Sequence, residues 1–398
     1  MKKTMPSASG QSGPPDIIGR EDFIASLWHI LEERSLILSA ERRFGKTYVI
    51  QKMEAEPPQG VLTFYQDMSD VHTAQAFAEK VCAKARGHLP WPRRTVQEAS
   101  ELFSRLRGGR VNVKMPTPDP SLHLPETSLD LPTVAALPWQ VKLVAAITEL
   151  VNGQTGRVVF FWDEVPWMIG HIKQREGAET ALEVLELLRV LRQDPKLKSK
   201  LRMVYTGSIG FHHVLDAPPV NDMKPQVYVP PLAPADAQEY ARFRLAQERA
   251  IVTEEGTTLR EIAEAADHIP YYIKNLVQSL NAAGRSIGPG DADRGLGVLL
   301  VQAPESWDLT HYDTRIDDYY TPAQSRVARD LLDILAVAGE IATFDALFNL
   351  LKSKRKTSDE EMARRVLDLL RQDHYLWPDP YRFQLPLVRR YWRVRRGL

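Results

Sequence analysis

Apolar and polar residues alternate along the first part of the chain in a pattern that predicts helices and strands in turn. Residues 21–34 carry apolar side chains at helical spacing, and the short apolar run at 36–38 that follows predicts a strand. A second strand at 61–65 and a second helix over 73–86 continue the alternation. Because strands and helices take turns, the pattern predicts an α/β fold with a parallel sheet.

The alternation stops over residues 108–137, where prolines recur without periodicity and an irregular insert is predicted. It resumes with a helix over 138–152, a strongly apolar strand at 158–162, a Leu-rich helix over 180–193, a strand at 203–205 and a weaker strand at 226–229. Residues 1–14 are rich in Ser, Gly and Pro and are predicted to be a disordered leader, so the α/β core is expected to span 15–229.

The second part of the chain shows helical patterns only. They predict a helical subdomain over 230–285, and the sparsely patterned stretch 286–321 is predicted to be a linker. Residues 322–398 then show three helices, at 323–338, 343–352 and 359–373, an extended run at 375–385 with a Pro-Asp-Pro turn, and a basic tail. This order predicts a C-terminal winged helix.

Composition narrows the class of protein. The 398 residues suffice for two or three domains. Basic and acidic residues are equal in number over the whole chain, 51 each, but basic residues are in excess near its C-terminus. Residues 322–398 contain 15 Lys and Arg against 10 Asp and Glu. A single cysteine, Cys82, excludes an internal disulfide or a thiolate metal cluster. Since no apolar run approaches the roughly 18 residues of a membrane span, a cytoplasmic protein is expected.

The strand at 36–38 runs into a loop with the spacing of a phosphate-binding P-loop, except that Ala40 stands at the first Gly position. Lys46 is expected to contact the β- and γ-phosphates, and the Thr47 hydroxyl is the expected Mg²⁺ ligand. The alternative is a plain surface turn between a strand and a helix. The predicted ATP-binding residues of this loop are Ala40, Glu41, Arg42, Arg43, Phe44, Gly45, Lys46, Thr47 and Tyr48.

Two acids follow the apolar strand at 158–162. Asp163 is expected to hold Mg²⁺ together with Thr47, and Glu164 to orient and deprotonate the attacking water. After the strand at 203–205, Thr206 or Ser208 is expected to contact the γ-phosphate or that water. The pattern does not decide between the two hydroxyls. The predicted catalytic residues are Lys46, Glu164 and Ser208.

These motifs, in this order, resemble the prokaryotic ATPases of the archaeal type, within the ORC/Cdc6-like and STAND-like part of the AAA+ superfamily. The resemblance extends over residues 17–280. It rests on Ile18-Gly19-Arg20-Glu21, the P-loop, Asp163-Glu164, Gly207-Ser208-Ile209-Gly210, Pro231-Leu232-Ala233-Pro234 and Ile269-Pro270-Tyr271-Tyr272-Ile273. The sequence departs from the family at Asp267-His268, which stand where the family has Gly-Gly.

The resemblance implies a P-loop AAA+ core with a helical lid and a C-terminal winged helix. It also implies that Ile18, Gly19 and Arg20 contact the adenine base, that Pro270 belongs to the lid's nucleotide contact, and that Lys274 is a candidate lid cation. Candidates for an arginine finger, a cation that reaches the nucleotide of a neighbouring subunit, are Arg189, Arg192, Lys200 and Arg202.

The predicted function is an ATP-hydrolysing molecular switch that changes its binding to DNA or to a protein partner. Basic residues at 352–356 and 389–396 suit the phosphate backbone of duplex DNA. A protein contact is the alternative for the winged helix, and a partner chain, either a second copy or another protein, is also expected. Rival functions are a nucleotide-insensitive DNA-binding or adaptor protein with a vestigial P-loop, and a signalling ATPase whose effector is on another chain.

Overall fold

A computed structural model describes residues 18–86, 137–215, 217–302, 304–355 and 359–398. The predicted leader and nearly all of the predicted insert lie outside these ranges. The described residues form two compact units. The first contains Asp22–Ser39 and the described part of Lys46–Tyr228, and the second contains Ile18–Glu21, Ala40–Gly45 and the described part of Val229–Leu398.

Helices and strands alternate up to residue 228, as the pattern predicted. In chain order they are α1 (Glu21–Glu33), β1 (Leu36–Ser39), α2 (Lys46–Ala55), β2 (Val61–Asp67), α3 (Ala74–Arg86), α4 (Trp139–Asn152), β3 (Arg157–Asp163), α5 (Val165–Glu176), α6 (Ala178–Gln193), β4 (Leu201–Gly207) and β5 (Val227–Tyr228). The strands form one parallel five-stranded sheet in the order β2-β3-β4-β1-β5, which confirms the predicted fold class.

The sheet is buried in its middle because apolar residues cover both faces of its central strands. Val158, Phe160 and Trp162 of β3 are fully buried, and Phe77 of α3 packs edge-on against the Trp162 ring. A strand flanked on both sides by helices reads as a continuous apolar run rather than as an alternating one. This is why β3 is the strand that the sequence predicts most clearly.

Helix α5 was not predicted. Its buried residues Val165, Met168, Ile169 and Ile172 have helical spacing, but Pro166 and Gly170 interrupt the run of helix-forming residues. Proline is harmless here because it occupies the first turn, where its missing N–H has no partner within the helix.

After residue 229, the described part of the second unit first forms five α-helices. They are α7 (Pro234–Gln247), α8 (Glu255–Ala265), α9 (Pro270–Ala282), α10 (Asp291–Gln302) and α11 (His311–Tyr319). The structure places two helices that the sequence did not predict, α10 and α11, within the predicted linker over 286–321. Gly295 obscures the helical pattern of α10, yet it has a packing role: a Cβ there would lie 2.7 Å from Leu280 of α9.

A winged helix ends the chain. Its elements are α12 (Pro322–Ala338), β6 (Glu340–Ile341), α13 (Phe344–Arg355), α14 (Glu360–Gln372), β7 (Leu376–Pro378), β8 (Tyr381–Phe383) and α15 (Pro386–Arg396). The three strands pair antiparallel in the order β6-β8-β7, with β7 and β8 forming the wing.

The extended run predicted over 375–385 contains β7 and β8, and the basic tail, for which the sequence predicted no conformation, is a helix, α15. Leu387, Val388, Tyr391 and Trp392 form a buried stripe along it, and the Trp392 Nε1–H donates to Asp333 at 2.9 Å. Among the helices that the structure describes, none combines the length and the apolar character needed to cross a membrane.

Candidate active site

The ends of three parallel strands bring the predicted site residues of the first unit together. Asp163 ends β3, and Thr206 and Gly207 end β4, which lies between β3 and β1. The register places Leu38 of β1 beside Thr206. Because parallel strands end at one edge of the sheet, side chains that follow them meet there.

The buried carboxylate of Asp163 accepts hydrogen bonds from two hydroxyls. Its Oδ2 atom accepts from the Thr47 Oγ at 2.7 Å, and its Oδ1 atom accepts from the Thr206 hydroxyl. Thr47 and Asp163 thus present adjacent oxygen atoms at the start of α2. Hard oxygen ligands of this kind suit Mg²⁺, so this pair fits the predicted metal-binding role.

Glu164 is held by a different hydroxyl. Its Oε2 atom accepts from both the backbone N–H and the hydroxyl of Ser208, each at 3.0 Å. Glu164 itself has a left-handed backbone with φ of 58°, which turns the chain sharply from β3 into α5. The sequence did not decide between the two hydroxyls. In the structure they have different partners: the Thr206 hydroxyl donates to Asp163, and the Ser208 hydroxyl donates to Glu164.

A glycine permits this arrangement. A Cβ atom at Gly207 would lie 2.7 Å from the Pro166 ring at the start of α5. Any side chain at position 207 would push the end of β4 away from the turn at Glu164. The Gly207-Ser208 pair is thus required by packing as well as by hydrogen bonding.

The loop between β1 and α2 has two residues with left-handed backbone, Arg43 at φ 72° and Gly45 at φ 88°. Ala40 does not have a positive φ, so its methyl group is unstrained at the position where P-loops have glycine. Lys46 and Thr47 begin α2. The N-terminus of an α-helix favours an anion, because its first N–H groups point out of the helix and its dipole is positive there.

The Ile18-Gly19-Arg20 segment packs within the second unit. Gly19 has φ 72°, and a Cβ there would lie 2.4 Å from Asp236 of α7. The buried Arg20 guanidinium donates to the carbonyl oxygens of Pro230, at 2.6 Å, and Phe44, at 3.3 Å. Burial lowers the pKa of Arg20 to about 10, partly countered by the charge of Asp236.

The lid motif keeps the backbone that glycines would take without strain. Asp267 and His268, at the positions of the family's Gly-Gly, have φ of 49° and 58°, and Pro270 then begins α9. Asp267 and His268 therefore preserve the turn while adding side chains. Lys274, the candidate lid cation, is half-buried on α9.

Three of the four candidate finger cations are engaged inside the first unit. Arg192 forms hydrogen bonds to both carboxylate oxygens of Asp222, at 2.7 and 2.8 Å, and Arg202 donates to the carbonyl oxygens of Leu31 and Glu32. Lys200 donates to the Gln154 carbonyl at 2.7 Å. Of the four candidates, Arg189 alone is exposed, whereas Arg192 and Arg202 are buried.

Three residues that were not singled out from the sequence contact the P-loop: Asp308, which accepts from Arg43, and two residues that bond Glu41. Arg315 and His311, both on α11, form hydrogen bonds to the Glu41 carboxylate. Separations of about 270 residues leave no local signal for such contacts, and the segment that carries them was predicted to be a linker.

Comparisons with known proteins bear on the fold of the chain. No family model matches the chain, and no curated protein matches it in sequence. Among solved structures, the Walker-type ATPase Paby2304 of Pyrococcus abyssi is similar over 98% of both chains, with a TM-score of 0.60 and 16% identity. The ORC2 protein of Aeropyrum pernix, in its ADP form, is similar over 98% of this chain and 96% of its own, with a TM-score of 0.47 and 12% identity. The first similarity confirms the fold that the motif resemblance predicted.

Proposed function

We propose that this chain, which has the fold of a Walker-type ATPase, binds and hydrolyses ATP with Mg²⁺ and acts as a nucleotide-dependent switch. The observation that supports this proposal is the pair of acids at the end of β3, each held by its own hydroxyl. Asp163 accepts from Thr47 and Thr206, and Glu164 accepts from Ser208. In the proposed reaction one acid holds the metal ion and the other orients the attacking water.

Each residue has a distinct task in the proposed reaction. Thr47 and Asp163 would hold Mg²⁺, which when bound offsets the negative charge of the phosphates. Lys46 contributes a positive charge at the β- and γ-phosphates. Glu164 accepts a proton from the attacking water, and Ser208 orients the Glu164 carboxylate toward it.

The rival function, a vestigial P-loop in an adaptor or DNA-binding protein, does not account for this set. Lys46, Thr47, Asp163 and Glu164 are all present, and the hydrogen bonds around both acids are intact. A signalling ATPase with its effector on another chain is a form of the same proposal, since it needs the same site.

Calorimetry and phosphate release test the proposal. Wild type should bind Mg²⁺–ATP, and Lys46→Ala should weaken that binding because it removes the phosphate cation. Lys52→Ala is the matched control, since Lys52 lies on the same helix in an ion pair with Glu56. Glu164→Gln should retain ATP and lose roughly 10²-fold or more in turnover. A wild type that neither binds ATP nor releases phosphate faster than Glu164→Gln would favour the vestigial P-loop.

The winged helix is the proposed output of the switch, and the geometry favours a protein partner over duplex DNA. Most cations of α15 are neutralised within the second unit, as is Lys354 of α13. The pairs are Arg390–Asp293, Arg395–Asp313, Arg396–Asp333, Lys354–Asp330 and Lys354–Asp333. Cations already paired release few counterions on binding DNA, which weakens the main driving force for phosphate contacts.

A further inference from the structure

The side chain of Glu41, the second residue of the P-loop, is buried in the second unit. Only 2% of the residue is exposed. Its Oε2 atom accepts from the Arg315 Nη2 at 3.2 Å and from the His311 Nε2 at 3.0 Å, and its Oε1 atom accepts from the Arg315 Nη1. In a P-loop the backbone N–H groups bind the phosphate, so a side chain of the loop can have a second role.

The ion pair is strong enough to overcome the cost of burial. Burial on its own would raise the pKa of the Glu41 carboxyl, yet the Arg315 charge and the His311 hydrogen bond hold that pKa well below its ordinary range. The carboxylate is therefore charged at neutral pH. The buried Glu41 carboxylate stays charged only while Arg315 and His311 remain in contact with it.

Arg315 connects this pair to the winged helix. Its Nη1 atom also donates to the carbonyl oxygen of Asp373, at 2.9 Å, directly after the last residue of α14. The Asp373 carboxylate in turn accepts from the Tyr320 hydroxyl at 2.6 Å. One guanidinium thus bonds both a P-loop side chain and the C-terminal end of α14.

A second side chain of the same loop has a parallel role. The Arg43 Nε–H donates to Asp308 at 2.8 Å, and its guanidinium lies 4.7 Å from the ring centroid of Tyr271 on α9. Arg43 has the left-handed backbone described above, a conformation that costs energy in a residue other than glycine. Two anchors, two residues apart, therefore fix the conformation of the loop.

We propose that Glu41 and Arg43 are positioning residues of the nucleotide-binding loop, and that the Glu41–Arg315 ion pair links the loop's conformation to the end of α14 in the winged helix. This inference rests on the proposed function, because it takes nucleotide as the ligand that moves the loop. A shift of the loop on binding phosphate would displace Glu41, and Arg315 would then follow it or lose the pair. By linkage, whatever binds and displaces α14 changes nucleotide affinity by the same factor.

Amide hydrogen exchange tests the link without nucleotide. The N–H groups of Asp373, His374 and Tyr375 donate to carbonyls of α14, so their exchange reports how firmly that helix end is held. Glu41→Gln should raise the exchange rates of these amides by about tenfold. Arg329→Gln is the control, because it breaks the Arg329–Asp317 ion pair of 2.6 Å in the same unit without touching the loop. Equal exchange rates at 373–375 in Glu41→Gln and in Arg329→Gln would overturn the link.

The second arm adds Mg²⁺–ATP and uses a double variant. Glu41→Gln/Arg315→Met removes both buried charges and so avoids leaving one unpaired, which protects folding if the single variant is unstable. In wild type and in Arg329→Gln, ATP should change the exchange rates at 373–375 about threefold or more. In the double variant, once calorimetry has shown that it still binds ATP, the change should be less than about twofold. A double variant with the full ATP response would overturn the coupling.

The two arms separate this inference from the proposed function. A wild type that fails to bind ATP contradicts the proposed function and the nucleotide coupling together. The nucleotide-free comparison of Glu41→Gln with Arg329→Gln still decides whether Glu41 positions the end of α14.

Discussion

The Oδ2 atom of Asp267 accepts a hydrogen bond from the backbone N–H of Leu387 at 2.7 Å. Leu387 is in the first turn of α15. The N-cap residue of that helix accepts no hydrogen bond with its own side chain. Asp267 therefore caps the last helix of the winged helix from the lid motif. A family Gly-Gly at positions 267 and 268 would lack this contact.

Asp267 makes the stability of the protein depend on pH. Burial raises the pKa of its carboxyl to about 7, although the Leu387 N–H and Arg390 oppose the rise. Between about pH 4 and pH 7 the native state binds a proton that the unfolded chain releases, so stability falls as the pH rises through this window. Asp267→Asn should remove this component, and the variant should gain stability relative to wild type between pH 5 and pH 8.

Denaturant unfolding at several pH values measures this effect. Asp345→Asn is the control, since Asp345 is exposed in the first turn of α13. If the free energy difference between wild type and Asp267→Asn is the same at pH 5 and at pH 8, the carboxyl does not titrate in this window.

The Thr47 hydroxyl should be required for turnover. Thr47→Val removes the donor to Asp163 and the expected Mg²⁺ ligand while keeping the shape of the side chain. We expect phosphate release to fall roughly 10- to 100-fold, the equivalent of one hydrogen bond to a charged group. Thr47→Ser keeps the hydroxyl and should stay within about threefold of wild type. Equal losses of phosphate release in Thr47→Val and Thr47→Ser would show that turnover does not depend on the hydroxyl.

Ser208 should affect turnover more than ATP affinity. Ser208→Ala keeps the backbone N–H bond to Glu164 and removes the hydroxyl bond, so the carboxylate is less well oriented. We expect a fall of about tenfold in turnover, with ATP affinity nearly unchanged. Single-turnover kinetics and calorimetry separate the two quantities, and a loss confined to ATP affinity would contradict the role given to Ser208.

Arg192 should contribute to stability rather than act on a neighbouring subunit. Arg192→Ala leaves Asp222 without its bidentate partner and should cost about 3 kcal/mol of unfolding free energy. Arg189→Ala, three residues earlier on α6, changes an exposed side chain and should cost no more than about 0.5 kcal/mol. Full restoration of Arg192→Ala activity by excess Glu164→Gln would instead identify Arg192 as a finger.

Duplex DNA, if it binds, should do so with a weak dependence on salt. Since most cations of α15 are paired, we expect log K to fall against log salt with a slope of about −2, rather than the slope of about −5 that five or six phosphate contacts would give. Fluorescence anisotropy on the full chain at several salt concentrations measures it. A slope near −5 would mean that these ion pairs open on DNA and would make DNA the better candidate partner.

Local patterns predicted the sheet and the acids well, because the information lies within each segment. The run at 158–162 is apolar throughout since β3 is covered on both faces, and Asp163 and Glu164 simply follow it. The two hydroxyls at Thr206 and Ser208 were found for the same reason. Their separate partners were not, because that depends on the left-handed turn at Glu164.

Other features depend on contacts between distant residues, and the sequence does not encode these locally. Gly295 weakens a helical pattern while fitting against Leu280, so α10 was missed. The expected contact of Glu41 with nucleotide stays a prediction, and nothing in the local sequence indicates that its side chain pairs with Arg315. The arginines of α15 resembled a free basic tail because their acidic partners lie on α10, α11 and α12.

Strand β1 lacks both of its neighbours in the sheet while most of the chain is still being translated. In the described sheet its neighbours are β4 and β5: Leu36 pairs with Val204 and Leu38 with Val227. Until those residues have left the ribosome, both edges of an apolar strand are unpaired, and such edges promote aggregation. A nascent chain that stalls before β4 therefore carries the whole phosphate-binding loop beside an unpaired strand, and we expect it to need a chaperone to remain in solution.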